Sequence, residues 1–523
     1  MTAPSLVQVV PSRQPSPTFL SDWVLKFADR HRHVLLLAVL GLYALGLNGH
    51  WRLEPDSALY LTIGRNLATG GGYTYHGEHH HLAFPGPPLL FAATFKLFHS
   101  RSLLPPLLVM WLIGLATLGL TYRLFLLHAG RPTAVLMTFG VGISRLFYRY
   151  SFELLSDMPF LLGVMAFLVG YEAIFHRRRA GQRLEGEPVG SAAWYDWVLL
   201  FGGLGIAVVM RPAMWALLVA VILALAWSAI RGPRRLPQLL TCLAVVMAAV
   251  LFWKFDPRHT GNSIGQYEDA LFEVKFSHIN VLLHQMIFDY APRLFEATLS
   301  QALFGARLGA GLNTIAGIGI LILVVGLFWH RPLWGLWVAM TLAIVLVAVK
   351  PLDRYFLEVL PLLVFAWWRG IRWLNRHLRQ PWGDWVFLGL LLLGAIINLS
   401  RTGEFITEQR WTPFLNHYKE GRFVSTQKVV SDLQQNLPRE AWVIAPPKFG
   451  RILTFLSHRR AVEAKMGPYL DPARQGVYVL EPLDPEVEHW LRDHAAHLGP
   501  TIGPTIQSKF DPEPWRLHKV EIR

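Results

Sequence analysis

The chain has 523 residues, of which 53% are apolar and 16% charged, against roughly 25% charged in soluble globular proteins. The apolar residues gather into many runs close to the ~20 residues that a bilayer-crossing helix needs, which excludes an ordinary soluble enzyme and predicts a polytopic membrane protein. The formal charge of +14 then matters through the placement of Lys and Arg rather than as a nucleic-acid signal, and the one cysteine, Cys242, excludes an internal disulfide, a zinc ribbon or an iron–sulfur cluster.

Residues 1–33, with Pro11, Pro15 and Pro17 and then Arg30 and Arg32, are too polar for a signal-peptide core and read as a cytoplasmic N-terminal tail before an uncleaved anchor. Spans are expected near 34–50, 103–127, 132–148, 157–175, 196–210, 212–230, 236–255, 311–329, 333–350, 355–368 and 384–400, about eleven in all. With the N-terminus inside, the short segments 123–131, 176–195, 231–235, 330–331 and 369–383 hold, together with the tail, about 18 Lys and Arg, the bias of cytoplasmic loops. The outer loops are then 50–102 and 256–310, and an odd number of spans places residues 401–523 outside.

Within that last segment, Ser425 to Leu437 has helical periodicity, Trp442-Val-Ile-Ala445 ends at Pro446-Pro447, Gly476 to Leu480 reads as a strand and Pro485 to His497 as a helix. The expectation is a small extracytoplasmic α/β domain. It contains no Walker loop, GxGxxG fingerprint or GxSxG elbow. The chain also shows no inverted half-repeat, which counts against a secondary transporter.

Charged side chains near spans are functional candidates by default, because each is costly in a bilayer. On this topology Asp56, Glu78, Glu153, Asp157, Arg211, Lys350, Asp353, Arg354 and Tyr355 all fall at outer span ends or in the first outer loop. Five separate chain regions thus point to one extracytoplasmic site at the membrane surface. In the first loop, Leu59, Ile63 and Leu67 define a helix lying on the membrane with Asp56 near its start, where a carboxylate serves either as a helix N-cap or as a general base. Glu153 and Asp157, four residues apart, share a face if that turn is helical and could there hold a divalent cation; Asp157 with Ser156 and Pro159 equally suits a helix start. Consecutive histidines cannot all face one ion, so His79, His80 and His81 are assigned no metal. The segment 256–310 reads either as a lid or acceptor cleft or as a solvated loop.

Asp56 followed by Ile63-Gly-Arg-Asn-Leu67, then Gly71-Gly-Tyr73, Gly77-Glu78, Phe84-Pro-Gly-Pro-Pro-Leu-Leu90 and Lys96-Leu-Phe98, resembles the polyprenyl-phosphate-sugar-dependent glycosyltransferases of the GT-C fold. That superfamily includes protein O-mannosyltransferases and the aminoarabinose transferase acting on lipid A. Glu153-Leu-Leu-Ser-Asp-Met-Pro159, Val209-Met-Arg-Pro212 and Lys350-Pro-Leu-Asp-Arg-Tyr-Phe-Leu-Glu-Val-Leu-Pro361 are similar to the same family. The resemblance spans roughly residues 34–400. Some relatives carry an acidic–basic pair where this chain has Ala83-Phe84, which leaves the acceptor unassigned.

The resemblance implies transfer of a sugar from a polyprenyl-phosphate carrier to a glycan, lipid or protein acceptor outside the cytoplasmic membrane of a bacterium, with membrane lipids as further partners and no nucleic acid. Asp56 matches the catalytic carboxylate, which takes the acceptor's proton in a single inverting displacement. Arg211 and Arg354, with Lys350 as a weaker third, are the candidates for the donor phosphate, since a guanidinium fork matches phosphate geometry. Glu153, Asp157, Glu78 and Tyr355 are candidate substrate residues. Each basic residue also has a plainer role: Arg211 can snorkel at a span end, and Arg354 can pair with Asp353 or Glu358. The alternatives are a transporter or lipid-linked glycan flippase, an oligosaccharide ligase using a diphosphate-linked donor, and a non-catalytic scaffold whose tail binds cell-envelope partners.

Overall fold

The computed structural model describes residues 20–47, 51–52, 54–80, 83–100, 102–175, 193–231, 322–347, 354–378, 382–411, 426–446, 449–463, 476–481, 485–493, 496–506 and 515–522, with a few single positions between them. Most of the expected spans 236–255 and 311–329, the loop 256–310, Lys350 and Asp353 lie outside the described residues.

The bundle is built from α1 (Leu20–Arg30), α2 (Arg32–Gly46), α5 (Leu104–Leu126), α6 (Arg131–Ile143), α7 (Arg145–Tyr150), α8 (Asp157–Phe175), α9 (Trp194–Met210), α10 (Met214–Arg231), α11 (Pro332–Val347), α12 (Arg354–Leu357), α13 (Leu360–Leu378) and α14 (Trp382–Trp411). Between α2 and α5 stand α3 (Pro55–Ala68), the hairpin β1 (Thr74–Tyr75) and β2 (Glu78–His79), and α4 (Gly86–Leu97). Among the described helices, α5 and α8 are long and apolar enough to cross a membrane; Arg32–Gly46, Trp194–Met210, Met214–Trp227 and Pro332–Ala343 are apolar but shorter.

Three boundaries differ from expectation. The region read as a polar N-terminal tail already contains α1, which packs on α6 and α14 with Ala28 fully buried. The span expected over 132–148 breaks at Ser144, and the N–H of Arg145 donates to Asn398 Oδ1 at 3.0 Å, so the break leaves this amide satisfied in an apolar setting. The span expected over 355–368 is split into α12 and the longer α13, while α14 runs well past residue 400.

Helix α8 is the axis of the bundle, buried along nearly its whole length. It packs closely on α9 because glycines face each other: a Cβ on Gly163 would stand 2.7 Å from Gly203 O and Ala207 N, and one on Gly170 would stand 2.6 Å from Asp196 O. Between Asp157 and Glu172 the helix carries no charge, so its ionisable groups sit at its two ends. At the Glu172 end, His128 Nε2 lies 3.2 Å and Arg331 Nη1 3.3 Å from Glu172 Oε2, and Arg123 donates to Asp196 at 2.9 Å.

The C-terminal region folds as α15 (Thr426–Asn436), β3 (Trp442–Ala445), α16 (Gly450–Ser457), β4 (Arg460–Glu463), β5 (Val477–Glu481), α17 (Pro485–Asp493), β6 (Ala496–Ile506) and β7 (Trp515–Ile522). The sheet order is β4-β3-β5-β7-β6, with β4, β3 and β5 parallel and β5, β7 and β6 antiparallel. The helix expected over 485–497 stops at Asp493, and His497 lies in β6, paired with Glu521.

This domain meets the first loop through α16, which packs on α3. Phe455 lies edge-on to Trp51 at 5.1 Å, and Arg65 stacks over Phe455 at 4.2 Å while donating to its carbonyl at 3.3 Å. His76, at the hairpin tip with φ of 58°, lies 5.3 Å from the Trp442 ring. Helix α3 therefore lies between α4 and α16, with Ala58, Leu61 and Gly64 buried beside Leu59 and Ile63, rather than resting by one face alone on a membrane surface.

Candidate active site at the domain end of the bundle

Pro55 at the first helical position pre-sets the backbone of α3 and puts Asp56 in its first turn. The N-cap is Glu54, and no side chain caps the helix, so Asp56 is not the N-cap that its position allowed. Its carboxylate instead receives one arginine on each oxygen: Arg354 Nη1 donates to Oδ2 at 3.2 Å and Arg451 Nη1 to Oδ1 at 3.1 Å. Asp56 is 37% exposed, so it remains within reach of a substrate. Each carboxylate oxygen has a second acceptor site, and a hydroxyl donor can be added without displacing either arginine.

Arg354 opens α12, and the Tyr355 ring lies 5.4 Å from its guanidinium and 5.4 Å from that of Arg211. Arg211 follows the last turn of α9 in extended conformation. It does not snorkel: it is 7% exposed, donates to Asp157 Oδ1 at 2.5 Å and lies 2.8 Å from Glu358 Oε1. A guanidinium facing two buried carboxyl groups has its charge answered within the protein. Arg211 thus ties the start of α8 to the turn before α13 and borders Arg354, but it is not presented to a ligand's phosphate as the sequence suggested. Gly86, in the Phe84-Pro-Gly-Pro-Pro motif, lets α4 touch this corner, since a Cβ there would stand 2.6 Å from Val209 O.

Glu153 and Asp157 do not converge. Residues 151–156 form turns rather than helix, and while Asp157 takes Arg211, Glu153 takes Arg149 Nε at 2.5 Å and lies 3.6 Å from Arg52. The shared face that would have held a cation is therefore missing. Arg149 also lies 3.7 Å from Glu54. Burial, with the neighbouring Glu153 charge, pushes the Glu54 carboxyl up to about 7 against the pull of Arg149, Arg52 and Arg354.

The structure thus brings Asp56, Arg354, Tyr355, Arg211, Asp157 and Glu153 to one end of the bundle, the end that carries the C-terminal domain. Glu78 is exposed on the hairpin and is not among them. Lys350 lies outside the described residues. Sequence reasoning missed Arg451, Arg149 and Glu54. Arg149 was readable as the i,i+4 partner of Glu153. Arg451 left a fainter trace: an arginine in the first turn of a helix opposes the dipole unless a carboxylate awaits it.

No family model matches the chain, and no curated protein matches it. Among solved structures, the chain is similar to ArnT from Cupriavidus metallidurans bound to undecaprenyl phosphate, with a TM-score of 0.55 and 12% identity over 93% of this chain and 97% of that one. The apo state of the same protein gives 0.54 and 12% over 95% and 98%. The chain has the GT-C fold. An oligosaccharyltransferase of Archaeoglobus fulgidus is similar at a TM-score of 0.44 and 14% identity, over 80% of this chain and 61% of that one. A likeness at 12% identity is one of architecture, a mostly helical bundle with a small C-terminal sheet.

Proposed function

We propose that this protein is an integral membrane glycosyltransferase that moves a sugar from a polyprenyl-phosphate donor to an acceptor hydroxyl, with Asp56 as general base. The reading takes the membrane to be a bacterial cytoplasmic membrane crossed about eleven times, with the N-terminus inside, residues 34–400 as the transfer module and residues 401–523 outside. The observation that carries it is the pairing of Asp56, partly exposed at the domain end of a GT-C bundle, with the Arg354 guanidinium.

In the proposed step Asp56 accepts the acceptor's hydroxyl proton while that oxygen bonds to the anomeric carbon. The bond from that carbon to the phosphate oxygen breaks, and its electron pair leaves with the lipid phosphate. A single displacement inverts the anomeric configuration. Arg354, beside the base, stands where phosphate charge would develop, and a donor held in place before the step costs no reorganisation during it. Arg211, Tyr355, Asp157 and Glu358 position Arg354 rather than touching substrate. The likeness to a protein bound to undecaprenyl phosphate supports the donor class. The charge-free run of α8 between Asp157 and Glu172 supports an enzyme over a transporter, which needs charged groups along its path.

The test is sugar transfer in membranes from a panel of radiolabelled polyprenyl-phosphate sugars, comparing wild type with Asp56→Asn at matched protein level. Loss of about 100-fold or more in rate is the size expected for removal of a general base. Equal transfer by the two proteins removes Asp56 from that role.

A further inference from the structure

Among the described residues, Arg451 is the one charged side chain of the C-terminal domain paired with Asp56. It lies 395 positions from Asp56 in sequence, yet reaches Oδ1 of its carboxylate at 3.1 Å. Among the described residues this is its only ion pair, whereas Arg211 faces Asp157 and Glu358, and Arg149 faces Glu54 and Glu153. Its side chain is 39% exposed. The α16 backbone that carries it is held by the contacts of Phe455 with Trp51 and Arg65, so the guanidinium is delivered to a fixed place.

We infer that Arg451 is a ligand of the donor's phosphate, supplied by the C-terminal domain and held on Asp56 until the transfer step releases it. The inference rests on the reading of Asp56 as the base. Two guanidinium groups, Arg354 and Arg451, each touch the one carboxylate through a single nitrogen, so both keep N–H donors for a phosphate oxygen beside it. A polyprenyl phosphosugar is a phosphodiester with a single negative charge, whose unesterified oxygens accept such donors.

The step itself moves charge in step with the two arginines. As the acceptor's O–H bond breaks, its proton passes to Asp56, whose carboxylate loses its charge. The acceptor oxygen bonds to the anomeric carbon, the carbon–phosphate-oxygen bond breaks, and the electron pair leaves on a phosphate monoester that now bears two negative charges. At that moment neither Arg354 nor Arg451 faces a charged Asp56, and two guanidinium groups face a dianion. A bidentate fork that exchanges a carboxylate for a phosphate keeps its geometry, which is why arginine rather than lysine suits the position. The C-terminal domain then contributes to the chemistry instead of covering it.

The experiment uses the full-length protein in lipid nanodiscs and measures binding of undecaprenyl phosphate, with undecaprenol as the uncharged control, alongside donor KM and kcat. Arg451→Ala is expected to weaken undecaprenyl phosphate about 10-fold or more, the scale of a lost charge-assisted pair, while undecaprenol binding is unchanged. Arg451→Lys recovers part of that loss. Asp56→Asn, which frees the guanidinium groups, binds undecaprenyl phosphate more tightly than wild type, and Arg451→Ala removes most of that gain in the double variant. Unchanged phosphate binding in Arg451→Ala overturns the inference, and so does equal weakening of the phosphate and the alcohol, which marks a displaced domain. If Asp56→Asn retains transfer while Arg451→Ala still loses phosphate binding selectively, the base assignment fails and the phosphate ligand stands.

Discussion

Arg211 donates to Asp157 at 2.5 Å from a position only 7% exposed, joining the end of α9 to the start of α8. The same nitrogen lies 2.8 Å from Glu358, so three elements converge on one guanidinium. Truncating it leaves two buried carboxyl groups without their counter-charge. Arg211→Ala is expected to cost about 3–5 kcal/mol, the usual scale for breaking a buried pair, and Arg211→Lys less. Thermal unfolding in detergent checks this; a midpoint equal to wild type in Arg211→Ala would show that the trio carries no stability.

Glu54 makes stability depend on pH. Its folded-state carboxyl is raised to about 7 from an ordinary 4.5, first by burial and then by Glu153. Between those values the folded state holds a proton that the unfolded chain has released, so stability falls as pH rises through that window. Glu54→Gln keeps the shape without the titration. Its unfolding free energy is expected to vary less with pH than that of wild type from pH 5 to 8, and to be higher at pH 8 by an amount on the order of 2 kcal/mol. Parallel pH profiles for the two proteins would refute the assignment.

Helix packing is testable at glycines that differ only in surroundings. A Cβ on Gly170 would stand 2.5 Å from Leu200 N and 2.6 Å from Asp196 O, both backbone atoms, whereas one on Gly202 meets nothing within 4 Å. Gly170→Ala is expected to destabilise by about 1–3 kcal/mol through overpacking. Gly202→Ala is expected to be neutral or stabilising, as alanine is the better helix former. Equal effects of the two on the melting temperature would contradict the close approach of α8 and α9.

The docking of the C-terminal domain depends on a few side chains around Phe455. Arg65→Ala removes both the hydrogen bond to the Phe455 carbonyl and the stacking over its ring. Limited proteolysis is expected to release the C-terminal domain several-fold faster in this variant, because a half-buried arginine–aromatic contact contributes about 0.5–2 kcal/mol and the hydrogen bond about 1 kcal/mol. Unchanged cleavage would place the docking energy elsewhere, with Trp51.

The first loop was legible because its signals are local. The spacing of Leu59, Ile63 and Leu67 foretold α3. Trp442–Ala445 was legible for a similar reason, an apolar run ended by proline. Strand β6 was not: it holds Gly499-Pro500 and Gly503-Pro504, residue types that weaken a strand, and absorbs them through register shifts between Leu498 and Thr501 and between Ile502 and Ile506. Such irregularities are stabilised by the partner strand, which no local pattern reveals.

By itself the sequence marked the long apolar segments and which of their ends bear charge, because apolar run length and the cost of a buried ion are properties of short segments. Asp56, Asp157, Arg211 and Arg354 were visible as candidates on that ground alone. Only the tertiary structure decided how their charges are shared: Arg211 is consumed by Asp157 and Glu358, while Asp56 receives Arg354 from the bundle and Arg451 from a domain 395 positions away. Ion pairing falls off within a few ångströms, and the folded chain, not the order of residues along it, sets which charges come that close.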